Sequence, residues 1–220
     1  MKKLLLSFLS LFLTLFVFAQ MPITLMPKKD SGKPLLFYIS GDGGMNHFSQ
    51  NLVKSLGAQG YPIITLDAKE YFWKKKTQQQ ATLDVSNLLA KYSSEWNLRS
   101  IVFVGYSFGA DVVPFIYNGM NAEVKNKIES IVLLSPSQTT DFEIHLTSMF
   151  GLGKSDGESV VAQINKITNK KVVILYGSEE TDFPKDKLTI KNKEVVVLQG
   201  GHHYDGDTVN LAKEILRRIK

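Results

Sequence analysis

Cysteine is missing from all 220 residues. Its absence excludes disulfides, thiolate zinc sites and a lipid-modified N-terminal cysteine. A strong charge of one sign is missing too: 26 Lys and Arg stand against 21 Asp and Glu, a formal net charge of +5. Without an aromatic-basic repeat, that balance leaves no footprint for nucleic acid. No internal repeat, low-complexity tract or linker divides the chain. The phosphate-loop pattern G-x-x-x-x-G-K-[ST] and the dinucleotide pattern G-x-G-x-x-G are also absent. What remains is 44% hydrophobic and 21% charged, a composition that folds into a single core-bearing domain.

The first residues, MKKLLLSFLSLFLTLFVFAQ, stand apart. Lys2 and Lys3 precede an apolar run over residues 4–18, and Val17-Phe18-Ala19 offers a small-residue cleavage site. This is the pattern of a signal peptide over residues 1–19, and the apolar run is short for a membrane span. The expected mature chain, residues 20–220, is one domain working outside the cytoplasm.

Apolar, β-rich runs then alternate with helical patterns. Strands are expected at 34–40 (PLLFYIS), 61–67 (YPIITLD), 100–105, 128–135 (IESIVLLS), 171–177 (KVVILYG) and 194–200 (EVVVLQG), with a short edge strand at 23–25. Helices are expected at 79–91, after Ser107 and at 207–219. Nearly continuous Val, Ile and Leu marks strands buried on both faces, so the expected fold is α/β: a mostly parallel central sheet with helices on both faces and minimal or no cap. On such sheets ligands bind beyond the carboxyl ends of the strands.

Gly105-Tyr106-Ser107-Phe108-Gly109 lies at one of those ends and fits the G-x-S-x-G nucleophile elbow of α/β-hydrolases. The elbow holds a serine on a strained strand-to-helix turn, and the Phe108 N–H becomes a donor to a developing oxyanion. Pro114, inside the following helix, predicts an irregularity there. A serine hydroxyl needs a base, and the chain has four histidines. Triad order in this fold is serine, acid, histidine, with the histidine after the last strand. His202, directly after Gly200 and Gly201, is the favoured base and His203 the alternative. A metal reading of His202, His203, Asp205 and Asp207 lacks any zinc-site spacing, so no metal or other cofactor is expected. The acid should follow the preceding strand, where Glu180 and Asp182 are both candidates. Ser40-Gly41-Asp42-Gly43-Gly44, after the first strong strand, is expected to give a second oxyanion donor from the backbone of Asp42 or Gly43.

GDGG, YFW, GYSFGADVVPF and GGHHYDGD together resemble the VirJ/AcvB family of bacterial virulence-associated proteins, from about residue 34 to the C-terminus. The resemblance implies an α/β-hydrolase fold and export to the periplasm. AcvB-like members are associated with hydrolysis of lysyl-phosphatidylglycerol, and VirJ-like members with type IV secretion. By length the chain resembles the short VirJ-like form, so a secretion-system partner is implied as well. An aminoacyl ester suits a serine hydrolase, and its cationic acyl group would be helped by a carboxylate, for which Asp42 and Glu143 are candidates. Tyr71-Phe72-Trp73-Lys74-Lys75-Lys76 joins aromatics to a basic cluster. Trp73 is therefore a candidate substrate contact, and the stretch could touch an anionic membrane. The competing reading is core packing beside a solvated charge run. Met149-Phe150-Gly151-Leu152-Gly153 is a second apolar loop candidate.

Overall fold

A computed structural model describes residues 21–144 and 157–219. The expected signal peptide and the Met149 to Gly153 loop lie outside the described residues. In chain order the elements begin with β1 (Ile23–Met26), β2 (Leu35–Ile39), α1 (His47–Gly57), β3 (Ile63–Leu66), α2 (Ala68–Tyr71) and α3 (Gln78–Glu95). Then come β4 (Ile101–Tyr106), α4 (Phe108–Gly119), α5 (Ala122–Lys127), β5 (Ile128–Leu134), β6 (Thr139–Thr140) and β7 (Glu158–Ser159). The chain continues through α6 (Val160–Asn165), β8 (Lys171–Gly177), β9 (Lys193–Leu198) and α7 (Thr208–Arg218).

Seven strands form one sheet in the order β1-β3-β2-β4-β5-β8-β9. Only β1 runs antiparallel, pairing with β3. Every residue of β2, β3 and β4 is buried. Period-two geometry divides their side chains between two cores. Leu35, Phe37, Ile39 and Phe103 face the layer of α3, α4 and α6. Leu36, Tyr38, Val102 and Val104 face Leu52, Leu56, Leu211 and Ile215 of α1 and α7. The edge strand β9 alternates between exposed and half-buried positions, with Val197 52% exposed, so that edge is solvated.

Local chemistry sets the helix starts. Asn46, Asp67, Asn121, Ser159 and Asp207 each accept a hydrogen bond from a first-turn N–H, and Thr77 with Gln80 forms a capping box. Each cap contributes about 1 kcal/mol. The helix after Ser107 continues unbroken through Pro114, where an irregularity was expected. Pro114 is buried, and burial of nearly the whole of α4 against β4, α3 and α6 outweighs the missing hydrogen bond. Helices α1, α2, α5 and α6 were not expected; α2, α5 and α6 are four to six residues long, too short to show a period. A small β6–β7 hairpin and α6 fill the crossover between β5 and β8.

Candidate active site

The carboxyl ends of β4, β5 and β8 and the turn after β9 converge on Ser107. Ser107 has φ 52° and ψ −122°, a left-handed backbone that a non-glycine residue adopts only under strain. Its N–H donates to the Leu134 carbonyl at 2.8 Å, and its carbonyl accepts the first helical bond from the Asp111 N–H at 3.1 Å. The flanking glycines explain how the turn closes. A Cβ on Gly109 would lie 2.2 Å from the Ile39 carbonyl oxygen, and one on Gly105 would lie 2.5 Å from the Gly109 carbonyl oxygen. Only bare backbone lets the first turn of α4 rest on β2 and β4. The Phe108 N–H, at the first helical position, has no intrahelical partner.

The Ser107 Oγ lies 2.9 Å from His202 Nε2, and His202 Nδ1 lies 2.7 Å from Glu180 Oε1. The imidazole therefore bridges a strained serine and a carboxylate. Glu180 is 21% exposed. Its second oxygen, Oε2, accepts from the Gly177 N–H and the Ser135 hydroxyl, each at 2.7 Å. Burial pushes the Glu180 carboxyl up. The hydrogen bonds from His202, Gly177 and Ser135, with the His202 charge, outweigh that and hold it below the ordinary value.

Of the two acid candidates, the structure brings Glu180 to the histidine and leaves Asp182 out. Asp182 is exposed, and its carbonyl accepts from Gln138 Nε2 at 2.7 Å. The cause is the tight turn after β8. The Glu180 N–H donates to the Gly177 carbonyl at 3.0 Å, which curls the Glu180 side chain back over Gly177. His203, the alternative base, does not reach Ser107. Its ring packs edge-on against Phe48 at 5.4 Å. Burial, with the neighbouring His202, lowers its pKa, while Glu180 and Asp42 oppose that shift. Asp207 caps α7, and no group of metal-ligating side chains occurs among the described residues.

The glycine loop abuts the serine. A Cβ on Gly41 would stand 3.1 Å from the Ser107 Cβ. The Gly44 N–H donates to the Gly41 carbonyl at 2.9 Å, and the N–H groups of Asp42 and Gly43 take no part in that closure. Beside the loop lies a cavity of about 540 Å³ lined by Gly43, Gly44, Met45, Asn46, Asp67, Lys69, Glu70 and Trp73. Its lining includes neither Ser107 nor His202, so the cavity adjoins that pair through the loop and does not enclose it. Trp73, 51% exposed, forms one wall. Phe72 is fully buried, with its ring 5.1 Å from that of Phe108. The aromatic stretch thus serves both the core and the surface. Glu143 lies away from the cavity lining and pairs loosely with the exposed Lys75 at 3.9 Å.

Ser135 was not among the sequence candidates, although β5 neighbours β4 and its carboxyl end lies on the same edge. That position was the available signal. Asp111 was also passed over. It is 4% exposed, and its Oδ1 accepts from the Ser137 N–H at 2.6 Å. Burial raises its carboxyl well above the ordinary range, against the Ser137 hydrogen bonds and with help from Asp42.

Residues 34–220 match the family described as bacterial virulence protein (VirJ). No curated protein matches the chain. Among solved structures, the chain is similar to a lipase-esterase related protein from Clostridium acetobutylicum, with 16% identity, 90% of this chain and 99% of that one covered, and a TM-score of 0.66. Est1E from Butyrivibrio proteoclasticus is similar at 16% identity, 90% and 92% coverage and a TM-score of 0.61. Naproxen esterase (carboxylesterase NP) from Bacillus subtilis is similar at 12% identity, 90% and 87% coverage and a TM-score of 0.60. At these identities the likeness establishes the α/β-hydrolase fold.

Proposed function

The chain belongs to the VirJ family of bacterial virulence proteins, and from that premise we propose that it is a serine hydrolase cleaving carboxylic esters through Ser107, His202 and Glu180. The observation that carries this reading is the His202 imidazole hydrogen-bonded at once to the strained Ser107 and to the ionised Glu180.

In this mechanism Ser107 Oγ attacks the ester carbonyl while His202 Nε2 takes its proton. Glu180 keeps the other imidazole proton on Nδ1 and stabilises the imidazolium. The Phe108 N–H and an N–H of the Asp42-Gly43 turn receive the negative charge that develops on the carbonyl oxygen. The intermediate collapses by breaking the ester C–O bond, and the alcohol leaves with the proton from His202. Water, deprotonated by His202, then attacks the acyl-serine. The acid departs and Ser107 regains its proton.

The finer assignment is an ester of an aminoacylated phospholipid such as lysyl-phosphatidylglycerol, met at the periplasmic membrane surface. Supporting it, the cavity beside the glycine loop is lined by Trp73 together with Asp67 and Glu70, with Lys69 the one opposing charge of the lining. An aromatic face and carboxylates are chemistry that receives an ammonium group. Lys74 and Lys75 follow Trp73 in sequence and are exposed like it, Lys75 in loose pairing with Glu143, and an aromatic beside cations favours anionic headgroups. No helix among the described residues is long and apolar enough to cross a membrane.

The test supplies purified protein with vesicles containing lysyl-phosphatidylglycerol and measures free lysine, beside a soluble p-nitrophenyl ester. Lysine release that disappears in Ser107→Ala is the expected result. Cleavage of the soluble ester alone would reduce the assignment to a general carboxylesterase. A folded protein that cleaves neither would move a non-catalytic secretion partner to first place.

A further inference from the structure

We propose that Ser135 is a positioning residue of this site, holding the Glu180 carboxylate in register with His202; the inference rests on the hydrolase reading above. Glu180 has two oxygens with divided duties. Oε1 faces His202 Nδ1, and Oε2 takes both the Ser135 hydroxyl and the Gly177 N–H. With only the Gly177 donor, the carboxylate could swing about its terminal bond and lose its alignment on the imidazole. Two donors, Ser135 just past β5 and Gly177 at the end of β8, fix its plane.

The backbone at Ser135 argues that the hydroxyl is used. Ser135 is 2% exposed and has φ 50°, a left-handed conformation that glycine adopts freely and serine does not. Its N–H extends the sheet ladder to the Leu175 carbonyl at 2.7 Å, so the backbone would sit equally well there with glycine. A serine held in strain at a buried strand end, aimed at a carboxylate, points to a task for its side chain.

The hydroxyl is itself held. Tyr204 is 3% exposed, and its hydroxyl lies 2.8 Å from Ser135 Oγ and 2.9 Å from the Leu175 carbonyl oxygen. Ionised Glu180 only accepts, so the Ser135 proton belongs to it. The Tyr204 proton is then shared between Ser135 Oγ and the Leu175 carbonyl. Burial keeps that phenol protonated far above its ordinary range. Tyr204 follows His202 by two residues, so a chain of hydrogen bonds runs from the histidine turn through Ser135 to Glu180 and back to His202.

The experiment compares native protein with Ser135→Ala and Ser135→Gly. It measures the second-order rate of fluorophosphonate labelling, kcat and KM for p-nitrophenyl acetate across pH, and thermal stability. Losing a hydrogen bond to a charged group predicts that both variants fall about tenfold in labelling rate and kcat, with KM unchanged. The acid limb of kcat/KM moves, because a carboxylate that has lost its alignment no longer keeps its native hold on the imidazole proton. Ser135→Gly is expected to melt above Ser135→Ala, since both lose the hydroxyl and only glycine adopts the left-handed backbone freely. Labelling within twofold of native in both variants, or activity and melting temperature falling together with an unmoved acid limb, would overturn the proposal. An independent readout is the downfield proton NMR signal of the His202–Glu180 hydrogen bond, expected to broaden in Ser135→Gly. If native protein neither labels nor turns over, that broadening upholds the positioning role while the hydrolase reading fails. An unchanged signal defeats the positioning role.

Discussion

Replacing Glu180 with Gln asks the site to keep its shape and lose one charge. In the native turn Oε2 meets two donors, Ser135 and the Gly177 N–H, and Oε1 meets His202 Nδ1. A glutamine has one acceptor end and one donor end. The Gly177 N–H is fixed in the backbone and cannot become an acceptor, so the amide oxygen must go there. The NH₂ group then faces His202 Nδ1, which can meet it only as an acceptor. That drives the imidazole proton to Nε2, where it points at Ser107, and the base is lost. The same wrong-tautomer argument in a well-studied serine protease corresponds to about 10⁴ in kcat. The partly solvated position here, with Glu180 21% exposed, suggests a loss of about 10³ to 10⁴ at neutral pH. Removing a carboxylate that accepts charge-assisted hydrogen bonds should cost about 1–3 kcal/mol of stability, too little to unfold the domain. Fluorophosphonate labelling rates and melting curves for Glu180→Gln and Asp182→Asn decide the matter. Asp182→Asn is expected within twofold of native. Glu180→Gln keeping a tenth or more of native reactivity, or Asp182→Asn losing most of it, would refute the assignment of the acid.

Gly109→Ala places a methyl group 2.2 Å from the Ile39 carbonyl oxygen, so it should destabilise the domain by about 3 kcal/mol or more, read as a lowered denaturant midpoint. Asp111 has its carboxyl pKa raised by burial, so the stability it allows is full below the unfolded carboxylate pKa of about 4 and is lost as pH rises toward the folded value. Asp111→Asn keeps an acceptor for the Ser137 N–H and cannot ionise; it is expected to melt above native at pH 8, with the gap closing toward pH 4. Glu180 has the opposite sign: with its pKa lowered, its contribution is present above about pH 4 and disappears as pH falls through the folded value. Glu180→Gln should therefore flatten the acid side of the stability curve.

The strands were legible because each is a short, dense apolar run, and burial on both sheet faces requires that density. The elbow was legible because a strand, a G-x-S-x-G turn and a helix allow few other solutions. Chain order narrowed the base to His202, with His203 as the alternative, and the acid to Glu180 or Asp182. The choice between Glu180 and Asp182 rested on a turn in which one residue curls back over Gly177, and that geometry leaves no trace in composition or period. Helix α1 was readable, since Phe48, Leu52, Val53 and Leu56 share one face behind the capping Asn46, whereas α6 is six residues, too short for a period to show. Ser135 escaped notice because a lone serine after a strand is common, and its role comes from φ 50° and a partner 45 positions away. Pro114 misled for a related reason: propensity is a local statement, and the buried surround of α4 overrides it.

The most direct test of the account is labelling of the native protein by a serine-reactive fluorophosphonate, beside Ser107→Ala and His202→Ala, with peptide mapping of the adduct. The account predicts a single adduct on Ser107, absent from Ser107→Ala and slowed by orders of magnitude in His202→Ala. A folded native protein that takes no label, or takes it elsewhere than Ser107, would contradict it.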